Sequence, residues 1–501
     1  MGSLYIGSSG LQTSQNALNT TAHNLSNVDT TGYTRQQVQQ SNRAYVTLST
    51  DPKSISNKQT GLGVTYSRVK QVRDYFLDKT YRKESGRSMF YEVSTEVMEE
   101  VESQLGELNG EAFQTTMTDF WTAIQELSKD PSSSVTQGLI VQRANEFVQR
   151  AGAVYDGLSS YQNNLNTQIK QNVDKINKYG NQLLTLNDQI RAIESGGIEH
   201  ANDLRDARNQ ILDELAELTN MTFSEDRYGS VSVQIEGVDF VKDGTCYEIA
   251  LKTDEATGFY TPFWPQDATY TVRADGTRDY NIDGAEVFDL SVEISSDLNT
   301  DIGGLKAMLL ARGDHRANYT DLAEGKYDSV SQSVVMNIQG EFDQMIHNVV
   351  TKVNDILAKA AGVQTGDLKL ADGVTTLKNV KYCAVEPGGY MRMDDGSPIQ
   401  LFTKVTTDGY RKVTGEDGKD YWVMNEEDPD SPESLYTIGN LQVNPALTKE
   451  PSKLGFRLAD GSEDKETADA LKAAFTEEAY TLNPNVQKKT TFVDYYTDLV
   501  S

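Results

Sequence analysis

The sequence predicts an α+β multidomain protein with an N-terminal coiled-coil-forming helix, a long antiparallel helical bundle and inserted β-rich domains. Three observations support this prediction. Leucines recur every seven residues at the N-terminus, and a longer heptad pattern of apolar residues runs from Leu158 to Ile193. Eight turn-forming Asp-Gly dipeptides lie between residues 243 and 461. The 501 residues are enough for two to four domains, each with its own core.

The first helix carries one narrow apolar stripe, formed by Leu4, Leu11, Leu18 and Leu25. Strict heptad spacing is typical of a coiled-coil seam, whereas a helix packed on a globular core has a broader apolar face. We expect the helix to end between Asn24 and Asn27, where side chains compete for backbone hydrogen bonds, and Thr31-Gly32 then to turn the chain. A lone helix of this length is marginal in water, so it should pair with other helices. Docking on its own domain is the alternative.

We place the helical bundle at residues 61–220. One heptad register holds Ile169, Ile176, Leu183 and Ile190, and the other holds Leu165, Asn172, Tyr179, Leu186 and Ile193. Asn172 is the candidate buried polar residue of this seam. A second helix is predicted from Asp203 to Leu218, and helical spacing returns over residues 303–360, which we expect to rejoin the bundle.

The remaining segments have other patterns. Residues 1–60 combine the N-terminal helix with a polar linker that we expect to be extended or poorly ordered. Residues 221–302 and 361–480 show period-two alternation with Asp-Gly turns, which predicts a β-rich insertion and an outer β-rich domain. Residues 481–501 are predicted to begin a C-terminal helix returning to the bundle, from the spacing of Phe492, Tyr495, Tyr496, Leu499 and Val500.

Charge and composition exclude several functions. The net charge of −28 argues against nucleic-acid binding, because a polyanion would be repelled. No stretch approaches the ~20 apolar residues of a membrane span. No basic start followed by an apolar segment is seen either, so we expect no Sec-type signal. Cys246 and Cys383 are too few for a disulfide framework, and both are predicted to lie in strands as small core residues.

No catalytic pattern is present, so the sequence predicts a protein that is not an enzyme and needs no cofactor or metal. The four histidines are scattered, and His347 is predicted to be a core residue. The string Asp279-x-Asn281-x-Asp283-Gly284 matches the first half of a calcium loop. Leu290 stands where the bidentate glutamate should be, so we favour a plain Asp-Gly turn over calcium binding.

The N-terminal motif resembles that of the flagellar axial proteins, the rod, hook and hook-associated proteins. Its elements here are Ser9-Gly10-Leu11, His23-Asn24-Leu25-Ser26-Asn27 and Thr30-Thr31-Gly32-Tyr33. The continuation Tyr33-Thr34-Arg35-Gln36 is similar to the hook-associated protein 1 family, since rod and hook proteins usually have lysine after the aromatic residue. Weaker similar strings follow in family order at 203–208, 303–306 and 443–445.

The resemblance implies a structural component of the bacterial flagellum that assembles on the hook tip and connects hook to filament. It also implies self-association in a short helical or ring assembly. The other implied partners are the hook protein, the second hook–filament junction protein and a flagellar export chaperone. The implied location is extracellular, reached by flagellar export without a cleaved signal. The alternatives are another axial protein, such as a hook or rod subunit, or a secreted adhesin or binding protein.

The predicted assembly interface combines the leucine stripe with the turn that follows it: Leu4, Leu11, Leu18, Leu25, Asn24, Asn27, Thr31, Gly32, Tyr33 and Arg35. We expect the stripe to be unfolded in the monomer and to order on assembly, and the turn to set the angle between this helix and the bundle. Members of the family end in an apolar helix that pairs with the N-terminal one. Because the C-terminal helical pattern stops at Ser501, we expect the sequence to lack most of that helix.

Overall fold

A computed structural model describes residues 2–49, 58–106, 113–196, 200–458 and 460–500. The chain divides into two compact units. Unit 1 comprises Met1–Thr95 and Asn166–Leu309, and unit 2 comprises Glu96–Leu165 and Leu310–Ser501. Long helices and several small antiparallel sheets confirm the predicted α+β class.

Within these residues the α-helices, in chain order, are α1 (Gly2–Ser26), α2 (Tyr75–Gly106), α3 (Phe113–Lys129), α4 (Ser134–Glu194), α5 (Asn202–Leu218), α6 (Gly304–Arg312), α7 (Tyr327–Val330), α8 (Val334–Ala360), α9 (Pro445–Lys449), α10 (Lys465–Thr476) and α11 (Phe492–Val500). The unit boundaries cross α2, α4 and α6. The helices predicted for 158–193 and 203–218 are confirmed as part of α4 and as α5.

The strands of the N-terminal region and of the first β segment are β1 (Gln36–Asn42), β2 (Val46–Ser49), β3 (Lys58–Thr60), β4 (Val64–Gln71), β5 (Met221–Glu225), β6 (Val231–Ile235), β7 (Val238–Lys242), β8 (Thr245–Cys246), β9 (Ala250–Thr253), β10 (Tyr260–Phe263), β11 (Thr269–Val272) and β12 (Arg278–Asn281). Strands β5 to β8 form one sheet in that order, and the pairs β1–β4, β2–β3, β9–β10 and β11–β12 form two-stranded sheets. All pairings are antiparallel.

Unit 2 contains β13 (Gln364–Lys369), β14 (Thr376–Ala384), β15 (Phe402–Lys404), β16 (Tyr410–Thr414), β17 (Asp420–Met424) and β18 (Leu441–Val443). Four of them pair in the order β13-β14-β17-β16, and β15 pairs with β18. Seven of the eight Asp-Gly glycines have positive φ, Gly409 being the exception, which agrees with their predicted role in turns. Cys246 and Cys383 lie in β8 and β14, as predicted.

Two expectations need restriction or correction. The linker expected to be extended or poorly ordered is extended where it is described: it contains β1, which pairs along its whole length with β4, and β2 and β3, which pair with each other; residues 50–57 lie outside the described part. We expected β structure to continue to residue 480, but α10 occupies Lys465–Thr476. Asp464 caps this helix by accepting Thr467 N–H at 3.0 Å, and its apolar residues at helical spacing are buried.

The core of unit 1 is built on α4. Ile169, Ile176, Leu183 and Ile190 are fully buried, as one predicted register requires, and most of them pack against the sheet that contains β6. The second register is only partly correct, since Ile193 is exposed and Asn172 only half-buried. Asn166 and Asn187 are buried polar residues of α4 in this unit. The amide of Asn187 accepts Val231 N–H at 3.0 Å and donates to Val231 O at 2.9 Å. The sheet covers this part of α4 and selects the face that is buried.

The core of unit 2 is rich in aromatic side chains. Phe113 packs against Phe147 and Phe342, and Phe120 against Phe475. Four of the five spaced residues of α11 are buried in this unit, namely Phe492, Tyr495, Tyr496 and Leu499. His347 follows the prediction of a satisfied interior histidine, because it lies 2.9 Å from Glu427 and its ring stacks on Tyr319.

Candidate assembly interface

The polar face of the N-terminal helix α1 lies against the rest of unit 1, and its apolar stripe faces outwards. Leu4, Leu11, Leu18 and Leu25 are between 68% and 82% exposed. Ser9 and Thr13, on another face, are buried. Ser9 Oγ donates to Ile6 O at 2.7 Å and accepts Val64 N–H at 3.3 Å, while Thr13 Oγ1 donates to Ser9 O at 2.9 Å. The hydroxyls that contact the rest of unit 1 are therefore hydrogen-bonded, which makes their burial tolerable.

A glycine allows α1 to approach the two-stranded sheet of β1 and β4. Gly63 precedes β4 with φ +86°. A Cβ at this position would lie 2.2 Å from Ser9 Oγ and 3.3 Å from Ile6 Cα. Both the left-handed backbone and the close contact exclude a side chain at residue 63.

The side chain of Asn24 connects the end of α1 to β1. Its Oδ1 accepts Gln36 N–H at 2.9 Å and the Tyr33 hydroxyl at 2.8 Å. Its Nδ2 donates to Gln36 O at 2.8 Å. The hydroxyl of Tyr33 also lies 2.9 Å from His23 Nδ1. One amide thus satisfies the backbone where β1 begins and positions the aromatic residue of the turn.

The remaining turn residues divide into two groups. Asn27 Nδ2 donates to His23 O at 2.9 Å, and Thr30 Oγ1 donates to Asn27 Oδ1 at 3.2 Å. Gly32 has φ +81°, so glycine is required by the backbone. Thr31 and Arg35 are exposed. Of the turn residues predicted for the interface, Asn24, Asn27, Gly32 and Tyr33 therefore shape the turn itself, and Thr31 and Arg35 face outwards.

An aspartate of α5 holds the far side of the turn. Asp206 Oδ2 accepts Thr34 N–H at 3.2 Å, and its Oδ1 accepts from Gln71 Nε2 at 2.9 Å. Burial raises the pKa of Asp206 although hydrogen bonds from Thr34 oppose this effect. Burial and the nearby Asp206 carboxylate also raise the pKa of the Tyr33 hydroxyl. The turn is thereby fixed to a helix that is more than 160 residues away along the chain.

Sequence reasoning did not identify Ser9, Gly63 or Asp206 as interface residues. Asp206 lies in the string 203–208, which was noted only for its resemblance to the family. Its burial on α5 is a feature of the structure that the sequence does not show. Ser9 was noted only as part of the N-terminal motif, and the role of both Ser9 and Gly63 depends on a contact between distant segments.

One structural expectation about this helix was wrong. We expected α1 to be unfolded in the single chain, and it is instead a 25-residue helix. The helix is stabilised because it docks on the sheet of β1 and β4 through Ser9 and Asn24, and these contacts are absent in an isolated helix.

An open groove of about 700 Å³ runs beside the C-terminal half of α1. It is lined by residues of α1, the turn and β1, among them Leu25, Val28, Tyr33 and Val38. Leu25 and Val28 are 74% and 71% exposed. The last leucine of the stripe thus stands at the rim of a space large enough for apolar side chains of another helix.

The calcium alternative has little support in the geometry. The Asp279 carboxylate forms ion pairs with Lys252 and Arg273, both at 3.1 Å. Asn281 Oδ1 accepts Asp283 N–H at 3.1 Å. Among the described residues, no three His, Cys, Asp or Glu side chains are grouped so that they could hold a metal ion. In the same part of the chain, no helix is both long and apolar enough to cross a membrane.

Two parts of the sequence match models of known protein families. Residues 98–369, more than half of the chain, match the family model described as flagellar hook-associated protein FlgK helical domain. Residues 4–34, which cover α1 from Leu4 onwards and the turn up to Thr34, match the model of the flagella basal body rod protein.

Two relatives carry the name flagellar hook-associated protein 1. The protein of Bacillus subtilis (strain 168) is 28% identical over 265 residues, which cover 50% of this chain and 52% of the relative. The protein of Escherichia coli (strain K12) is 27% identical over 250 residues, covering 50% and 44%. The chain therefore spans about half the length of the curated relatives it matches.

A solved structure, the flagellar hook junction protein FlgK from Burkholderia pseudomallei, aligns with a TM-score of 0.44 and 13% identity over 76% of this chain and 66% of that one. The family assignment rests on the sequence match to the helical domain, which covers the end of α2, α3 to α8 and the first β segment. The chain belongs to the flagellar hook-associated protein FlgK family.

Proposed function

We propose that this chain is a structural, non-catalytic subunit of the bacterial flagellum that assembles at the hook tip and connects hook to filament. In this proposal α1 packs against the equivalent helices of neighbouring copies. The observation that carries it is the leucine stripe, which is exposed on a helix whose opposite face is already fixed to its own unit. An apolar seam that the single chain leaves in water needs a partner with a matching seam.

The magnitudes favour an assembly over an isolated pair. Burying a leucine side chain contributes about 1.5–3 kcal/mol, so burying the whole stripe contributes roughly 6–12 kcal/mol. Association costs about 4–15 kcal/mol in lost rigid-body freedom. One seam alone is therefore marginal, whereas a ring or short helix of subunits stabilises each copy from two sides.

The turn gives this seam a defined direction. Asn24, Gly32 and Tyr33 hold α1 against the start of β1, and Asp206 fixes the turn to α5. We propose that Asn27, Thr31 and Arg35 complete the interface, with Thr31 and Arg35 facing neighbouring subunits.

The name shared by the relatives suggests further partners. We propose the hook protein and the second hook–filament junction protein as axial neighbours, and a flagellar export chaperone as the partner before assembly. The proposed location is the extracellular flagellum, reached by flagellar export without a cleaved signal. The net charge of −28 supports partners other than nucleic acid, and we propose no membrane insertion.

The test is attachment of the purified chain to isolated hooks, measured by co-sedimentation and electron microscopy. Replacing Leu4, Leu11, Leu18 and Leu25 with glutamine should abolish attachment, because the seam loses its apolar surface. The matched control changes Gln12, Gln15 and Asn19 on the same helix to alanine and should attach as the unaltered chain does. Normal attachment of the leucine variant, or of a chain lacking residues 2–36, would refute the proposal.

A further inference from the structure

The first turns of α2 expose large apolar side chains next to lysines. Phe76, Leu77 and Tyr81 are 73%, 62% and 59% exposed. Lys79 and Lys83 are exposed beside them and, among the described residues, form no ion pair. Phe76, Lys79 and Lys83 lie on one row of the helix, and Leu77 and Tyr81 lie on the adjacent row. We call these five residues the entry patch.

The entry patch is not explained by the core of unit 1. The two arginines of the same turns are used internally, since Arg82 pairs with Asp213 at 2.7 Å and Arg87 with Asp301 at 3.0 Å. The lysines and the three apolar residues point away from those contacts and remain in water. Exposed aromatic and aliphatic side chains grouped with charge are typical of a protein–protein contact.

The second half of the same helix carries the opposite charge. Residues 88–106 contain five glutamates, at positions 92, 96, 99, 100 and 102, and no lysine or arginine. Glu92, Glu96 and Glu99 are exposed on one row, and the adjacent row exposes Tyr91 and Met98 by 48% and 55%. This acidic half therefore has the same arrangement as the entry patch, an apolar row beside a charged row, with the sign reversed.

The charge of the whole chain is segregated in the same direction. Residues 1–87 hold eleven Lys and Arg against five Asp and Glu, a net charge of +6, whereas residues 88–501 carry a net charge of −34. A second copy of the chain is thus a partner whose surface attracts the entry patch.

We propose that the entry patch of one copy docks on the acidic half of α2, residues 88–106, of a neighbouring copy. The inference rests on the proposed self-association and adds a second contact to the leucine seam. Such a contact joins different surfaces head to tail, so a pair of copies still has one free entry patch and one free acidic half, and the next copy can add. Contacts of this type generate rings or helical assemblies.

The experiment measures self-association of the full chain by analytical ultracentrifugation. The variant Lys79→Glu with Lys83→Glu should weaken the association constant at least about tenfold, because attraction becomes repulsion across the contact. Adding Glu96→Lys and Glu99→Lys to that variant should restore association. The control Lys419→Glu with Lys465→Glu makes the same change in net charge at exposed lysines of unit 2 and should have little effect.

Salt provides a second readout. Association of the unaltered chain should weaken between about 50 mM and 500 mM NaCl, and that of the Phe76→Ser variant should be weaker at both concentrations. Unchanged association of the lysine variant, no rescue by the compensating changes, or an unaltered chain that stays monomeric would overturn the inference. The leucine stripe is intact in all of these variants, so attachment to hooks decides the proposed function separately.

Discussion

The side-chain amide of Asn24 is hydrogen-bonded to both backbone polar groups of Gln36, accepting from its N–H at 2.9 Å and donating to its C=O at 2.8 Å. This pair of bonds joins the last full turn of α1 to the first residue of β1. These two side-chain bonds replace regular backbone hydrogen bonds, which are lost where a helix or a strand ends.

Replacing Asn24 with alanine should loosen this connection. The change leaves Gln36 without its two partners, at a cost of about 1–3 kcal/mol in local stability. Amide hydrogen exchange should show faster exchange in α1 and β1 and little change in the core of unit 1. Asn19→Ala, on an exposed position of the same helix, is the control; equal exchange in the two variants would contradict the role of Asn24.

Gly63→Ala should displace α1 from the sheet of β1 and β4. The new Cβ would meet Ser9 Oγ at 2.2 Å in a backbone conformation that disfavours side chains, and the expected cost is about 1–3 kcal/mol. Limited proteolysis should then cut α1 earlier than in the unaltered chain. Gly7→Ala, where a Cβ meets nothing within 4 Å, should leave α1 at least as protected. Equal cleavage of both variants would show that the close approach is dispensable.

Arg208→Met should destabilise unit 1 strongly. Arg208 is buried, its Nη1 donates to Gly229 O at 2.5 Å, and its Nη2 pairs with Glu225 at 3.1 Å. Burial lowers the pKa of Arg208 to about 10 although Glu225 opposes this shift. Replacing the buried guanidinium by an apolar side chain leaves Gly229 O without this donor, at a cost of about 1–3 kcal/mol, which urea denaturation would measure. Arg191→Met, at an exposed pair with Asp188, should cost less than about 1 kcal/mol.

The buried carboxylate of Asp343 should make unit 2 less stable as pH rises. It accepts Tyr319 N–H at 3.0 Å and Ile438 N–H at 2.8 Å, yet burial raises its pKa from 3.8 to about 6. Because the folded pKa exceeds the unfolded one, the unfolded chain ionises first. The contribution of Asp343 to the free energy of unfolding therefore falls as pH increases from about 4 to about 6, by up to about 3 kcal/mol.

The variant Asp343→Asn isolates this effect. It should be less stable overall, since one backbone N–H then faces an amide nitrogen, but its unfolding free energy should lack that fall between pH 4 and 6. Glu427 contributes in the opposite direction. Burial, the largest influence, would raise its pKa, but the hydrogen bond from His347 and smaller effects outweigh burial and lower the pKa. Because both proteins contain Glu427, subtracting their pH profiles removes its contribution. Glu478→Gln, at an exposed carboxylate, should follow the profile of the unaltered chain. Parallel profiles for the unaltered chain and Asp343→Asn would contradict the prediction.

Much of the fold could be predicted because long heptad patterns are redundant. The register of Ile169, Ile176 and Leu183 repeats often enough to identify α4 and its buried face. The prediction that Asn172 is the buried polar residue was wrong, because the sheet covers Asn187 and its amide bonds to Val231, whereas Asn172 is only half-buried. Helix α10 was missed because its single capping aspartate follows shortly after the Asp-Gly turn at 460.

Periodicity alone specified the leucine stripe of α1, and the residue types of the turn specified that the chain reverses near Asn24 and Gly32. Those features are local, because spacing of apolar side chains and backbone preferences act within a few residues. The face on which α1 docks was decided only by the tertiary structure. It depends on Ser9 meeting Gly63 and on Asp206 reaching the turn, contacts between residues far apart in sequence whose energy exists only once both segments are in place.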